Sequence, residues 1–136
     1  MKTYTEVSNL RSQKRIEIIN VSPQVRQVVG RSGIKDGIIL VYSLHTTTGL
    51  YVNQTEKNLE SDLEVFLEKL VPQQNNYKHN AIDNNADAHL RAILLGNYAT
   101  LPLTGGDLDL GVWQSILFVE LDGPRRRAFV TKVIGE

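Results

Sequence analysis

The chain has no cysteine. That excludes disulfides, thiolate metal ligands and a cysteine nucleophile, and it is compatible with a reducing compartment without requiring one. No excess of either charge is present: 15 Lys and Arg offset 15 Asp and Glu. This balance excludes nucleic-acid or membrane binding driven by overall charge, and leaves Arg125-Arg126-Arg127 as the one basic run. Long apolar runs are missing as well. The longest, Ile38 to Tyr42, falls far short of the roughly 20 residues a membrane-spanning helix needs. Met1 to Leu10 is polar and lacks an apolar signal core, so the expected location is the cytoplasm. No linker, repeat or low-complexity stretch divides the chain, and 136 residues fit one domain, 1–136.

What is present is the make-up of a globular protein, with 41% hydrophobic and 22% charged residues. Tyr4 to Val7 and Arg15 to Ile19 alternate as strands and are expected to pair. Ser22-Pro23 opens a short helix, Ser as cap and Pro at the first helical position, running to about Arg31 and stopping near Gly33. Ile38 to Leu44 is a continuous apolar run and reads as a strand buried on both faces. Leu50 to Asn53 continues as a short strand. Glu56 to Val71 is a helix ended by Pro72, with Leu59, Leu63, Phe66, Leu67 and Leu70 as its apolar stripe and Asp62 half-buried at the stripe's edge. A polar loop, Gln73 to Asn85, leads to a helix Ala86 to Leu95, capped by Asn84 or Asn85 and closed by Gly96, whose apolar stripe is Ala86, Leu90, Ile93 and Leu94. Val112 to Leu121 and Arg127 to Ile134 are strands joined as a hairpin by Asp122-Gly123-Pro124, with a further short strand around Asn97 to Leu103. The order predicts an α+β fold with mainly antiparallel sheet.

The three histidines fall beside small or polar residues: His45 at a strand end, His79 in a polar loop, His89 on a helix. Three neutral imidazoles converging from separate elements would hold a metal and leave a coordination position open. No HExxH pattern fixes two of them on one helix, and the alternative is one capping histidine and two exposed ones. His45-Thr46-Thr47-Thr48-Gly49 offers hydroxyls and backbone N–H groups after a strand, which suits a phosphate; it lacks the P-loop glycines and lysine, and it also reads as a polar corner. Asp62 is a candidate orienting group or general base, or a carboxylate paired to an Arg. Asn85 lies one turn before His89 on the same helix side. Trp113 reads as core, while Gln114 and Glu120 share the opposite strand face and line a site or face water. Arg125 and Arg127 share a strand face as phosphate clamps, or pair with Glu120 across the hairpin.

Together these segments resemble the YjbQ family over nearly the whole chain. The resemblance is carried by His45-Thr46-Thr47 with Gly49, Asn53, Asp62, Pro72, Tyr77 with His79, Asn85-Ala86-Asp87-Ala88-His89-Leu90, Gly96, Leu110-Gly111, Trp113-Gln114, and Glu120 through Arg125 with Arg127. It implies an α+β fold with a β-sandwich-like core and two to three helices, and a homotrimer. It implies that His45, His79 and His89 gather around a divalent metal, zinc before any other. It also implies a weak, secondary thiamine-phosphate synthase activity, which joins a pyrimidine diphosphate to a thiazole phosphate and releases pyrophosphate; magnesium would suit that diphosphate. In that reading Asp62, Arg125 and Arg127 are catalytic, and Thr46, Thr47, Asn85 and Gln114 hold the ligand. The chain departs from the family pattern at Gln54, where members usually carry Glu, and at Val112, where they carry Thr. Two other functions fit the same residues: metal-assisted hydrolysis of a small phosphate or ester, and a non-catalytic trimer that binds metal or ligand.

Overall fold

A computed structural model describes residues 1–136. In chain order the elements are β1 (Lys2–Arg11), β2 (Glu17–Asn20), α1 (Ser22–Ser32), β3 (Gly37–Ser43), β4 (Thr48–Asn53), α2 (Lys57–Leu70), one 3-10 turn (Lys78–Ala81), α3 (Ala86–Leu95), β5 (Tyr98–Thr104), β6 (Asp107–Leu108), β7 (Ser115–Glu120) and β8 (Arg126–Gly135). The fold is α+β, with three helices and two antiparallel sheets. The larger sheet has the order β1-β8-β3-β5-β6 and the smaller β2-β7-β4. No helix is long and apolar enough to cross a membrane.

The two sheets face each other across the main core. Phe118 of β7 meets Phe129 of β8 there, with ring centroids 5.9 Å apart. Ile39, Val41, Leu101 and Val133 come from the larger sheet, Leu50 and Ile116 from the smaller, and Val25 and Val29 of α1 join them. A second cluster lies on the other side of the smaller sheet, where Val119 and Leu121 pack against Leu67 of α2 and Ala88 and Ala92 of α3. β7 is therefore covered on both faces, and Ile116 through Glu120 are all buried.

That arrangement corrects several expectations. The strand buried on both faces is β7, not β3, in which Ile38 and Tyr42 face outward. β1 and β2 do not pair with each other: they lie in different sheets, where β1 pairs with β8 and β2 with β7. β7 and β8 are not a hairpin either, since the Asp122-Gly123-Pro124 segment carries the chain from one sheet to the other. Ser22 does not cap α1. Val21 occupies that position, and the Ser22 hydroxyl accepts instead from the Ile116 backbone N–H at 2.8 Å. Gly33 ends α1 in the left-handed region, φ 69°.

The helices differ most. On α2 only Leu67 of the expected stripe is buried; Leu59, Phe66 and Leu70 are exposed, and so is Asp62, which has no side-chain partner. On α3 only Ala86 of the expected face is buried. Ala88, Arg91 and Ala92 face the sheet, whereas Leu90, Ile93 and Leu94 face outward. Small residues let α3 lie close to β4, and the contact is tightest at Gly49, where a Cβ would come within 2.8 Å of the Leu95 Cβ. Trp113 is 70% exposed and precedes β7 rather than entering the core.

Candidate functional site

The site forms where the β3–β4 corner meets α3. Ser43 and Thr48, both buried, pin the corner through hydroxyls 2.5 Å apart. The Ser43 N–H donates to the Asn97 carbonyl and the Leu50 N–H to the Gly96 carbonyl, which ties the C-terminal end of α3 to that corner. His45 and His89 are thereby brought together. Two clefts, of about 430 and 390 Å³, share His45, Thr46 and His89 as walls. Ala92, Ile93 and Asn97 complete the first; Thr47, Asp83, Asn85, Asp122, Arg125 and Arg127 line the second. A third hollow joins His79 to His89.

Each imidazole has a different setting. The His45 Nε2 accepts the Ala128 backbone N–H at 2.8 Å. Its neutral ring therefore carries its proton on Nδ1. His79 Nε2 lies 2.8 Å from the Asn85 Oδ1. Asn85 Nδ2 donates to Asp122 Oδ2 at 2.9 Å, so the amide turns its oxygen to His79, which donates from Nε2 and keeps its lone pair on Nδ1. His89 stands edge-on to His79, ring centroids 4.7 Å apart.

These settings decide how well a metal fits. A three-histidine centre needs three convergent lone pairs. No group of three His, Asp or Glu side chains is placed to hold an ion, and the single lone pair of His45 is taken by a strand N–H. The three histidines gather at one place but do not form a set of three ligating nitrogens.

Burial pushes the His45 pKa below its ordinary 6.5, with the nearby Arg127 charge acting the same way and Glu120 opposing. A folded value below the unfolded one gives stability that is full above the unfolded value and is lost as pH falls through the folded one. Between about pH 7 and pH 5 the wild type should therefore lose more thermal stability than His45→Gln, whose side chain cannot titrate. Paired melting curves at the two pH values check this; equal losses would refute it.

The arginines separate. Arg127 is buried and engaged: Nε donates to Glu120 Oε1 at 2.8 Å, Nη2 to Glu120 Oε2 at 2.5 Å and to Thr47 Oγ1 at 2.8 Å. This is the pairing with Glu120, made between the two sheets, and it anchors the corner at Thr47. Arg125 precedes β8 and is half exposed, donating from Nε to the Asp122 carbonyl and from Nη2 to its carboxylate at 3.2 Å. Its Nη1 edge is uncommitted, and Arg125 is the far more exposed of the two guanidinium groups.

Other expected residues lie elsewhere. Asp62 is exposed on α2 and lines none of these clefts. Gln114 is exposed and accepts the Gly111 N–H at 2.8 Å, about 20 Å along the chain from Glu120 at strand rise. Gln54 and Val112 are exposed and line no cleft, so the two departures from the family pattern leave the walls unchanged. Asn85 caps nothing with its side chain, which goes instead to His79 and Asp122.

Three residues that the sequence did not single out belong here. Asp122 meets Asn85 and Arg125, and lies 4.0 Å from Arg15. The sequence marks it as a turn residue and as part of the family segment Glu120 through Arg125, without a role at the site. Ser12, fully buried, donates to Glu120 Oε1 at 2.6 Å and accepts the Arg125 N–H; no pattern in the sequence marks it. Asp83 sits on the cleft wall after the 3-10 turn.

Comparison with known proteins places these features in one family. Residues 6–136 match the family model described as UPF0047 protein YjbQ-like. A UPF0047 protein of Methanothermobacter thermautotrophicus is 48% identical over 136 residues, covering 100% of this chain and 95% of the relative. Among solved structures, a YbjQ-like protein of unknown function from Sulfolobus solfataricus P2 has a TM-score of 0.96 at 37% identity, with 99% of each chain covered. A hypothetical protein from Aeropyrum pernix K1 has a TM-score of 0.94 at 36% identity, over 97% of this chain and 98% of that one. The His45 corner and the α3 wall are thus borne by a chain that belongs to the YjbQ-like UPF0047 family.

Proposed function

We propose that the cleft binds a small phosphorylated molecule, and that joining a pyrimidine diphosphate to a thiazole phosphate is a weak reaction it permits. The observation that carries this reading is the wall formed by His45, Thr46 and Arg125. Each offers a donor with no protein partner: the His45 Nδ1–H, the Thr46 hydroxyl and the Arg125 Nη1 edge. A volume near 390 Å³ suits a small metabolite. In the transfer, a C–N bond to the thiazole nitrogen forms as the C–O bond to the diphosphate breaks. The protein's part is to hold the departing pyrophosphate's charge, for which Arg125 is placed, while Arg127 keeps the corner in position.

Arg125→Ala should lower kcat/KM for the pyrimidine and thiazole pair by roughly 10- to 100-fold, the worth of one charge-assisted hydrogen bond, with little change in fold. Pyrophosphate release that requires both substrates is the expected signal. No turnover of the pair would sink the transferase reading. Release of phosphate or acid from a single ester would replace it with a hydrolase.

The same reading includes a homotrimer. It is supported by outward-facing Leu90, Ile93 and Leu94 on α3 and Phe66 and Leu70 on α2, large apolar side chains that contact between copies would cover. Light scattering should give three times the 15.3 kDa chain mass, and a monomer would exclude it.

A further inference from the structure

The chain's one tryptophan packs into neither apolar cluster. Trp113 is 70% exposed and Val112 beside it 90%. Yet the turn that carries them is fixed. The Gln114 N–H donates to the Gly111 carbonyl at 3.0 Å, and the Gln114 side-chain oxygen accepts the Gly111 N–H at 2.8 Å. Leu110, immediately before the turn, packs against the main core. A large aromatic side chain held rigidly in water is a ready anchor for a protein interface, because it buries much area and loses little conformational freedom.

The cleft walled by His45, His89, Ala92 and Ile93 has the complementary shape and character. It is open, with a volume of about 430 Å³, and the Ile93 side chain on its rim faces solvent. Ile93 also belongs to the outward apolar patch of α3, so the cleft and that patch are continuous. Trp113 does not reach this cleft within its own chain. Thr48 in the cleft wall pairs with Glu120 at one end of β4 and β7, whereas Trp113 lies beyond Ser115 at the other end, about 17 Å away at strand rise. Charge follows the same axis. Asp109, just before the turn, meets only the Thr104 hydroxyl. At the cleft end, Arg11 and Arg126 stand opposite each other in the β1–β8 register, next to Arg127 of the second cleft. A contact between unlike patches, repeated around a closed ring, uses every knob and every hollow.

We infer that Trp113 of one copy enters the cleft between Ile93 and His45 of the next, so that each ligand site is completed by a neighbouring chain. This rests on the homotrimer proposed above and supplies its contact. The indole would lie on Ala92 and Ile93 and leave the second cleft, with Arg125, to the phosphorylated ligand. Through the shared walls His45, Thr46 and His89, the neighbour's indole would close one side of the ligand pocket to water.

The absence of native cysteine makes the contact directly testable. Val112→Cys and Asn97→Cys place thiols beside the indole and in the cleft wall, both at exposed positions, and leave Trp113 in place. In the full chain carrying both, a short bis-maleimide should give covalent trimers on a denaturing gel. Each single variant should stay largely unlinked, and the two singles mixed should give linked dimers. Trp113→Ala should raise the concentration of half-dissociation about 10-fold or more without unfolding the chain, since the indole packs into no core. In the wild type, Trp113 emission should shift to the red and become more open to acrylamide quenching as the protein is diluted below its assembly range. No link between positions 112 and 97 in a protein that light scattering shows to be a trimer would overturn this contact and leave the trimer standing. Linkage that stops at dimers would overturn the ring. A monomer at every concentration would remove both the contact and the trimer.

Discussion

Glu120→Ala should destabilise the protein by about 3–5 kcal/mol, the range for removing one partner of a buried ion pair. Glu120 is fully buried and Arg127 nearly so, and the carboxylate accepts from Arg127, from Ser12 and from the Asp122 backbone N–H. Removing it leaves the Arg127 charge inside the protein with only the Thr47 oxygens as partners. The loss would appear as a lower urea midpoint at unchanged slope. Glu120→Leu combined with Arg127→Met should recover much of it, because two apolar side chains leave no charge stranded. If the single substitution cost under about 1 kcal/mol, the pair would not be holding the two sheets together at this point.

The same pair should make the protein sensitive to acid. Burial pushes the Glu120 pKa up, but hydrogen bonds from Arg127, Ser12 and the Asp122 N–H, together with the Arg127 charge, outweigh it and hold the folded value below 4.5. The unfolded chain then binds the proton more readily. The stabilisation is complete above the unfolded value and disappears as pH falls through the folded one.

Arg91→Met is the second large effect, about 3 kcal/mol. The Arg91 side chain is completely buried. Its Nε and Nη2 donate to the Val71 carbonyl at 3.1 and 2.8 Å, Nη2 also reaches Glu68 at 2.6 Å, and Nη1 lies 3.4 Å from Asp87. Arg91 thus closes the C-terminal end of α2 from α3, with a cation where the helix dipole favours one. Asp87 would keep its bidentate partner Arg15, at 3.0 and 3.1 Å, so the damage should centre on α2. Amide hydrogen exchange offers the check: the last turn of α2 should lose protection while β7 keeps it. Uniform loss across both would mean that Arg91 supports the whole fold rather than this junction.

The limits of α3 can be read from the sequence because they rest on local chemistry. The helix begins after Asn85 and stops at Gly96, as the polar flank and the glycine indicate. His45 at a strand end is equally legible, because the apolar run stops there. Which face α3 buries is not. Apolar periodicity favours Leu90, Ile93 and Leu94, but close approach to β4 selects Ala88 and Ala92, and Arg91 enters because the Val71 carbonyl and two carboxylates await it. Strand pairing escapes the sequence for a similar reason. Alternation identifies a strand but does not name its partner, so nearness in sequence suggests joining β1 to β2 although β8 and β7 claim them. At the site, the three histidines that stand out in the sequence line neighbouring hollows. The role of each depends on the Ala128 N–H and the Asn85 amide, which no spacing reveals.

The strand order also bears on how the chain acquires its shape during synthesis. β8 lies between β1 and β3, and β7 lies between β2 and β4. Both of these bridging strands come from the segment after Gln114, so neither sheet is joined up until that segment has left the ribosome. Until then β1, β2 and β4 have no partner strand, while β3 can already pair with β5. Closure then joins Lys2 to Gly135, a pairing across almost the entire sequence, and such distant pairings place a protein among the slower-folding topologies. A growing chain of this design relies on its early strands staying apart from one another and from neighbouring chains while they wait.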